Sequence, residues 1–83
     1  MGKVKPTYGI LFGFCKDDED QVGYFAMESG HSFVSTEEEL AMHFPLRKKR
    51  GQVGFGTVQQ WCDYINEDED LCHGYKFHVV KKV

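Results

Sequence analysis

The sequence predicts an α+β domain: a small, mainly antiparallel sheet of three to four strands carrying two short helices, in the order β-β-(β)-α-α-β. Stretches with the period-2 alternation of strands lie towards both ends of the chain, and a stretch with the 3.6-residue period of a helix lies between them. Eighty-three residues are too few to assemble a second hydrophobic core, so residues 1–83 are read as one domain.

Met1 to Pro6 is a polar lead-in, and Pro6 lets an extended segment begin without losing an interior ladder bond. Tyr8, Ile10, Phe12 and Phe14 then alternate with Gly9, Leu11, Gly13 and Cys15. The aromatic face is expected to be buried, and the glycine-thinned face to accept the close approach of another backbone or ring. Cys15 to Gln21 reads as a solvated hairpin loop. The second strand, Val22 to Glu28, has apolar groups on both faces, Val22, Tyr24 and Ala26 against Phe25 and Met27. It is therefore either central or meets a partner. Ser29-Gly30 supplies turn chemistry, and a short third strand fits His31 to Val34.

Ser35 and Thr36 are both good helix caps, with Glu38 and Glu39 at the reciprocal spacing of a capping box. Leu40, Ala41 and Phe44 form the inward stripe of a helix of about two turns at 3.6 residues each, which Pro45 would stop. Thr57, with Gln60 three residues on, caps the second helix. There Val58, Trp61, Cys62 and Ile65 repeat at i, i+3, i+4 and i+7. The acidic run from Glu67 to Asp70 is expected to be a loop, since negative charge is disfavoured at a helix C-terminus. Gly74 opens a last strand, in which Tyr75, Phe77 and Val79 alternate with Lys76, His78 and Val80 before Lys81-Lys82-Val83.

Apolar residues make up 41% of the chain and aromatics 14%, enough for a compact core and too much for disorder. A domain of this size folds with a thin margin, which dimerisation would relieve. The net charge of -3 hides an uneven distribution. Most acids fall in three runs, at 17–20, 37–39 and 67–70, while four of the ten basic residues are consecutive, Arg47-Lys48-Lys49-Arg50. General adhesion to nucleic acid is therefore not expected, whereas a local cationic contact is compatible with this distribution. Three cysteines, Cys15, Cys62 and Cys72, have no framework spacing, and no apolar N-terminal segment precedes a cleavage site. No apolar run approaches the roughly 18 residues of a membrane span. A reduced, soluble, cytoplasmic protein is expected.

The cationic stretch and the glycine-punctuated connection after it, Gly51 to Gly56, carry the candidate site. Arg47, Lys48, Lys49 and Arg50 can neutralise a phosphate backbone, Gln52 adds a polar contact, and Phe55 a surface on which an unpaired base can stack. The run also precedes a helix N-terminus, a favourable place for an anion. It is not a nucleotide-binding loop: Gly51, Gly54 and Gly56 lack the required spacing and no lysine follows. Asn66, Asp68 and Asp70 alternate as calcium ligands do, but Leu71 stands where glycine is needed and Phe77 where the last carboxylate is needed. Cys72-His73 with His78 or Cys15 lacks the paired spacing of a zinc site, and Cys62 reads as core. Neither metal nor cofactor is expected. No catalytic constellation is evident; a Cys-His pair is the one enzymatic arrangement left open.

The segment FVSTEEELAMHF, Phe33 to Phe44, followed by a second helix and a closing strand at Gly74 to Val83, resembles the small accessory proteins of tailed bacteriophages. The resemblance spans residues 22–83. It implies a non-catalytic inhibitor or modulator of a host enzyme or defence protein, working in the host cytoplasm. One such class, the phage antitoxins that neutralise an RNA-cutting toxin through a complex with RNA, is compatible with the cationic stretch. The alternative is protein recognition through a strand edge or the aromatic face, with no nucleic acid.

Overall fold

The computed structural model describes residues 5–47 and 56–83. Four strands, β1 (Tyr8–Cys15), β2 (Asp18–Glu28), β3 (His31–Ser35) and β4 (Tyr75–Lys82), form one sheet in the order β3-β2-β1-β4, with every neighbouring pair antiparallel. The helices α1 (Val58–Glu67) and α2 (Glu69–Cys72) lie between β3 and β4 in sequence. Class and element order are those the sequence predicts, and β2 is a central strand, as its two apolar faces require.

Four local expectations are corrected. The first concerns β1. Its covered face is the glycine face: Leu11 is fully buried, an added Cβ on Gly9 would lie 2.8 Å from Val58 Cγ2, and α1 packs directly over this side. Phe12 and Phe14 lie on the opposite face and are only half-buried. A helix needs to approach a sheet closely to bury its own stripe, and the flat glycine track permits that approach where a row of rings does not. The core there comprises Leu11, Phe25, Phe44, Val58, Cys62, Ile65, Cys72 and Phe77.

The second concerns residues 36–44. They form only a single 3₁₀ turn, Glu38–Leu40, without a side-chain cap, and Ala41 is already extended. Ser35 ends β3, and its Oγ accepts from the Glu37 N–H at 3.0 Å, closing a local turn in place of a capping box. Two helical turns bearing three adjacent glutamates are marginal alone, and the sheet offers this backbone better partners. The β1–β2 pairing ends at Phe12↔Tyr24. Beyond it, Met42 N–H donates to Phe25 C=O at 3.0 Å, and Phe44 exchanges both backbone bonds with Gly9 at 2.8 Å each. Residues 42–44 thus fill the gap that the two diverging strands leave. On the far face, Glu38 reaches Lys82 Nζ at 2.5 Å and His43 stacks on Tyr8 at 4.0 Å. Ile10 and Ala26, between these contacts, are buried.

Third, the hairpin between β1 and β2 is tight. The turn is Lys16–Asp17, and Asp18 to Gln21 belong to β2, with the register shifting between Phe14 and Cys15. All four are exposed, so their polarity reflects solvation and not a loop conformation. Fourth, the acidic run at 67–70 is helical. Glu67 ends α1, and Asp68 breaks the helix and caps α2 by accepting from the Asp70 N–H at 3.0 Å. Glu69 and Asp70 then lie in the first turn of a new helix, where negative charge is favoured.

The remaining elements agree with expectation. Ser29 and Gly30 both have positive φ, as a two-residue turn between β2 and β3 requires. Thr57 and Gln60 form the capping box of α1, whose Val58, Cys62 and Ile65 are buried. No helix among the described residues is long and apolar enough to cross a membrane.

Candidate anion-binding cleft

Antiparallel pairing of β1 with β4 brings the start of the chain against its end: Tyr8 lies opposite Lys82, and Thr7 N–H donates to Lys82 C=O at 2.8 Å. The first turn of α1 is fixed beside them because Val58 N–H donates to Pro45 C=O at 2.7 Å. A cleft of about 820 Å³ opens between these parts, lined by residues 5–7, 45–47 and 57–59 and by Val79 and Lys81. That volume lies within the range of about 300–1,000 Å³ typical of ligand sites. Its charged lining is of one sign: Lys5, Arg47 and Lys81 contribute, and no acid does among the described residues. Charges of one sign on a concave surface reinforce each other and attract counter-charge.

Of the residues expected to bind a polyanion, Arg47 is exposed and lines this cleft. Lys48, Lys49, Arg50, Gln52 and Phe55 lie outside the described residues. The helix N-terminus itself is less available than expected. Gly56 and Thr57 N–H both donate to Gln60 Oε1 at 2.8 and 3.1 Å, and Gln60 N–H donates to Thr57 Oγ1 at 3.2 Å. With these amides and that of Val58 satisfied internally, an anion here must be held chiefly by side chains.

Sequence reasoning did not single out Lys5 and Lys81. The signal for Lys81 is its parity: it continues the Tyr75, Phe77, Val79 series, whose Phe77 packs in the core beneath the helices. Lys5 carries no such signal, because only strand pairing brings it there. Asp63, one turn further along α1, accepts from Gln59 Nε2 at 3.0 Å, so positive charge gives way to negative in that direction.

Cys62 and His73 are engaged in local contacts. Cys62 Sγ donates to Phe77 C=O at 3.3 Å, and burial, followed by the nearby Asp63 charge, pushes its thiol above the ordinary range. His73 Nε2 lies 2.9 Å from both Ser32 Oγ and Ser32 C=O. With the proton on Nε2 it donates to that carbonyl, tying α2 to β3, and offers the hydroxyl no base. Among the described residues no group of three or more His, Cys, Asp or Glu is placed to hold a metal ion. A second cavity, among Phe25, Met42, Trp61 and Leu71, is about 70 Å³ and too small for a drug-sized ligand.

In the native protein, a thiol reagent is expected to modify half-buried Cys15 and to leave Cys62 and Cys72 intact until unfolding; a count of labelled thiols by mass spectrometry checks this. Because the Cys62 thiol is raised in the folded state, its contribution to stability is complete below the ordinary thiol value and is lost as pH rises through the folded value. Urea midpoints that do not fall between pH 8 and pH 10 relative to Cys62→Ala would contradict this.

Comparison with protein-family models, curated proteins and solved structures found no match to the chain.

Proposed function

We propose that this chain is a non-catalytic binding protein that contacts an anionic macromolecule through the cleft and the adjoining cationic stretch 47–50. The reading fits a small phage accessory protein that modulates a host or defence protein in the cytoplasm, with RNA as the polyanion that the cationic stretch suggests. One observation carries it: Lys5, Arg47 and Lys81, far apart in sequence, converge on one cleft that has no acid among its described lining residues, in a protein whose net charge is -3. Phosphate contacts of this kind release counterions and weaken predictably with salt.

Replacing Arg47, Lys48, Lys49 and Arg50 together by alanine tests the reading. If each touches one phosphate of a single strand, the slope of log affinity against log salt falls by about 0.7 per cation, roughly three in all. The measurement is fluorescence anisotropy of a labelled twelve-nucleotide oligo-U across a salt series, with circular dichroism confirming the fold. An unchanged slope in the folded variant would remove 47–50 from the site.

A further inference from the structure

We propose that the occupant of the cleft is an acidic, extended polypeptide segment of a partner protein, which adds to the sheet as a fifth strand on the outer edge of β4. This rests on the anionic-ligand reading above and names the ligand's class. The backbone carries the inference. Gly9 directs both its N–H and its C=O at Phe44, on the side away from β4. In an antiparallel ladder, residues opposite each other in a pair that turns its bonds outward do so on both strands. The register Gly9↔Lys81, Leu11↔Val79, Gly13↔Phe77 therefore turns the polar groups of Phe77, Val79 and Lys81 away from β1.

At Phe77 the outward groups are covered. Asn66 Oδ1 accepts from Phe77 N–H at 2.9 Å and Asn66 Nδ2 donates to Phe77 C=O at 3.0 Å, so the side-chain amide acts as a one-residue strand. Among the described residues, no backbone group bonds Val79 or Lys81 on that side. These two residues line the cleft, and Val58 and Gln59 of α1 line it too. An open strand edge beside a helix is the geometry of strand addition, in which backbone bonds supply affinity and alternate side chains supply specificity.

The chemistry favours polypeptide over nucleic acid. The edge presents acceptors as well as donors; a peptide backbone supplies both at each residue, whereas phosphates only accept and a nucleic acid donates only from its 2′-hydroxyls and bases. No described residue of the lining is aromatic, so nothing there stacks a base. Next to the added strand, Val79 suits an apolar side chain and Lys81 a carboxylate.

The test uses the full chain and a fluorescein-labelled ten-residue peptide of alternating Glu and Val. Two further versions are N-methylated at every second amide, one in each frame. Methylation in the frame facing β4 is expected to weaken binding at least tenfold, and in the other frame to leave it unchanged. Val79→Pro, which removes an outward N–H and no β1–β4 ladder bond, should lose a similar factor, with Val79→Ala as the control for the lost side chain and Trp61 fluorescence reporting the fold. Equal binding by both methylated peptides would overturn strand addition, leaving attraction by charge. Binding of the oligo-U without the peptide would overturn the peptide assignment and leave the anionic cleft standing. Failure of both ligands would overturn both.

Discussion

Gly13→Ala is expected to destabilise the protein by about 3 kcal/mol, the upper end of what an overpacked methyl usually costs. An added Cβ would lie 2.2 Å from Lys76 O, 2.7 Å from Lys76 C and 2.8 Å from Phe77 Cα. All three are backbone atoms of β4, so the strain is relieved only by moving the strand. Displacing β4 from β1 disturbs the pairing that also brings Lys5 near Lys81. Gly9→Ala offers the contrast, because its Cβ would meet the Val58 side chain, at 2.8 and 2.9 Å from the two methyls. In urea unfolding followed by Trp61 fluorescence, Gly9→Ala should be partly rescued by Val58→Ala. No side-chain truncation should rescue Gly13→Ala. A Gly13→Ala midpoint close to that of the parent chain would contradict the close approach.

Asn66→Leu is expected to cost about 1–3 kcal/mol, because it leaves the buried N–H of Phe77 without a partner and its C=O with only the weak Cys62 S–H donor. Phe77 is 1% exposed, so water cannot readily replace the amide. The loss should appear in urea unfolding and as faster hydrogen exchange of the Phe77 amide. Exchange no faster than in the parent chain would mean that Asn66 does not hold this edge. The same residue bears on the proposed docking site. It closes the strand edge at Phe77 and so limits strand addition to the stretch from Val79 onwards.

The fold class was legible because its signals are local: the alternation of Tyr8 to Cys15 and Tyr75 to Val80, the helical stripe from Val58 to Ile65, and the Thr57–Gln60 box. What misled was competition between local and tertiary partners. Ser35, Thr36 and the glutamates make a good helix entry in isolation, but Phe25 and Gly9 supply backbone partners that a short helix forgoes. The orientation of β1 failed for a related reason. Hydrophobicity favours burying Phe12 and Phe14, and the decisive factor was how closely α1 could approach Gly9. Asp68 shows the converse, since an acid that ends one helix begins another once its side chain caps it.

The candidate site was legible only at Arg47. Its other described cations, Lys5 and Lys81, come together through the antiparallel pairing of the first and last strands, which residue spacing does not encode. The half-buried aromatics of the far face, Phe12 and Tyr24 with ring centroids 4.8 Å apart and Phe14 beside His78 at 5.9 Å, are the other surface the sequence suggested. They lie on the sheet face opposite the cleft, so the two surfaces can be told apart residue by residue.

The most direct test is an amide chemical-shift titration of the ¹⁵N-labelled chain with the oligo-U and, separately, with the Glu–Val peptide. The ligand that binds should move Lys5, Thr7, Arg47, Gln59, Val79 and Lys81. Shifts gathered instead on Phe12, Phe14, Tyr24 and His78, with the cleft amides unmoved, would contradict an anion-binding cleft.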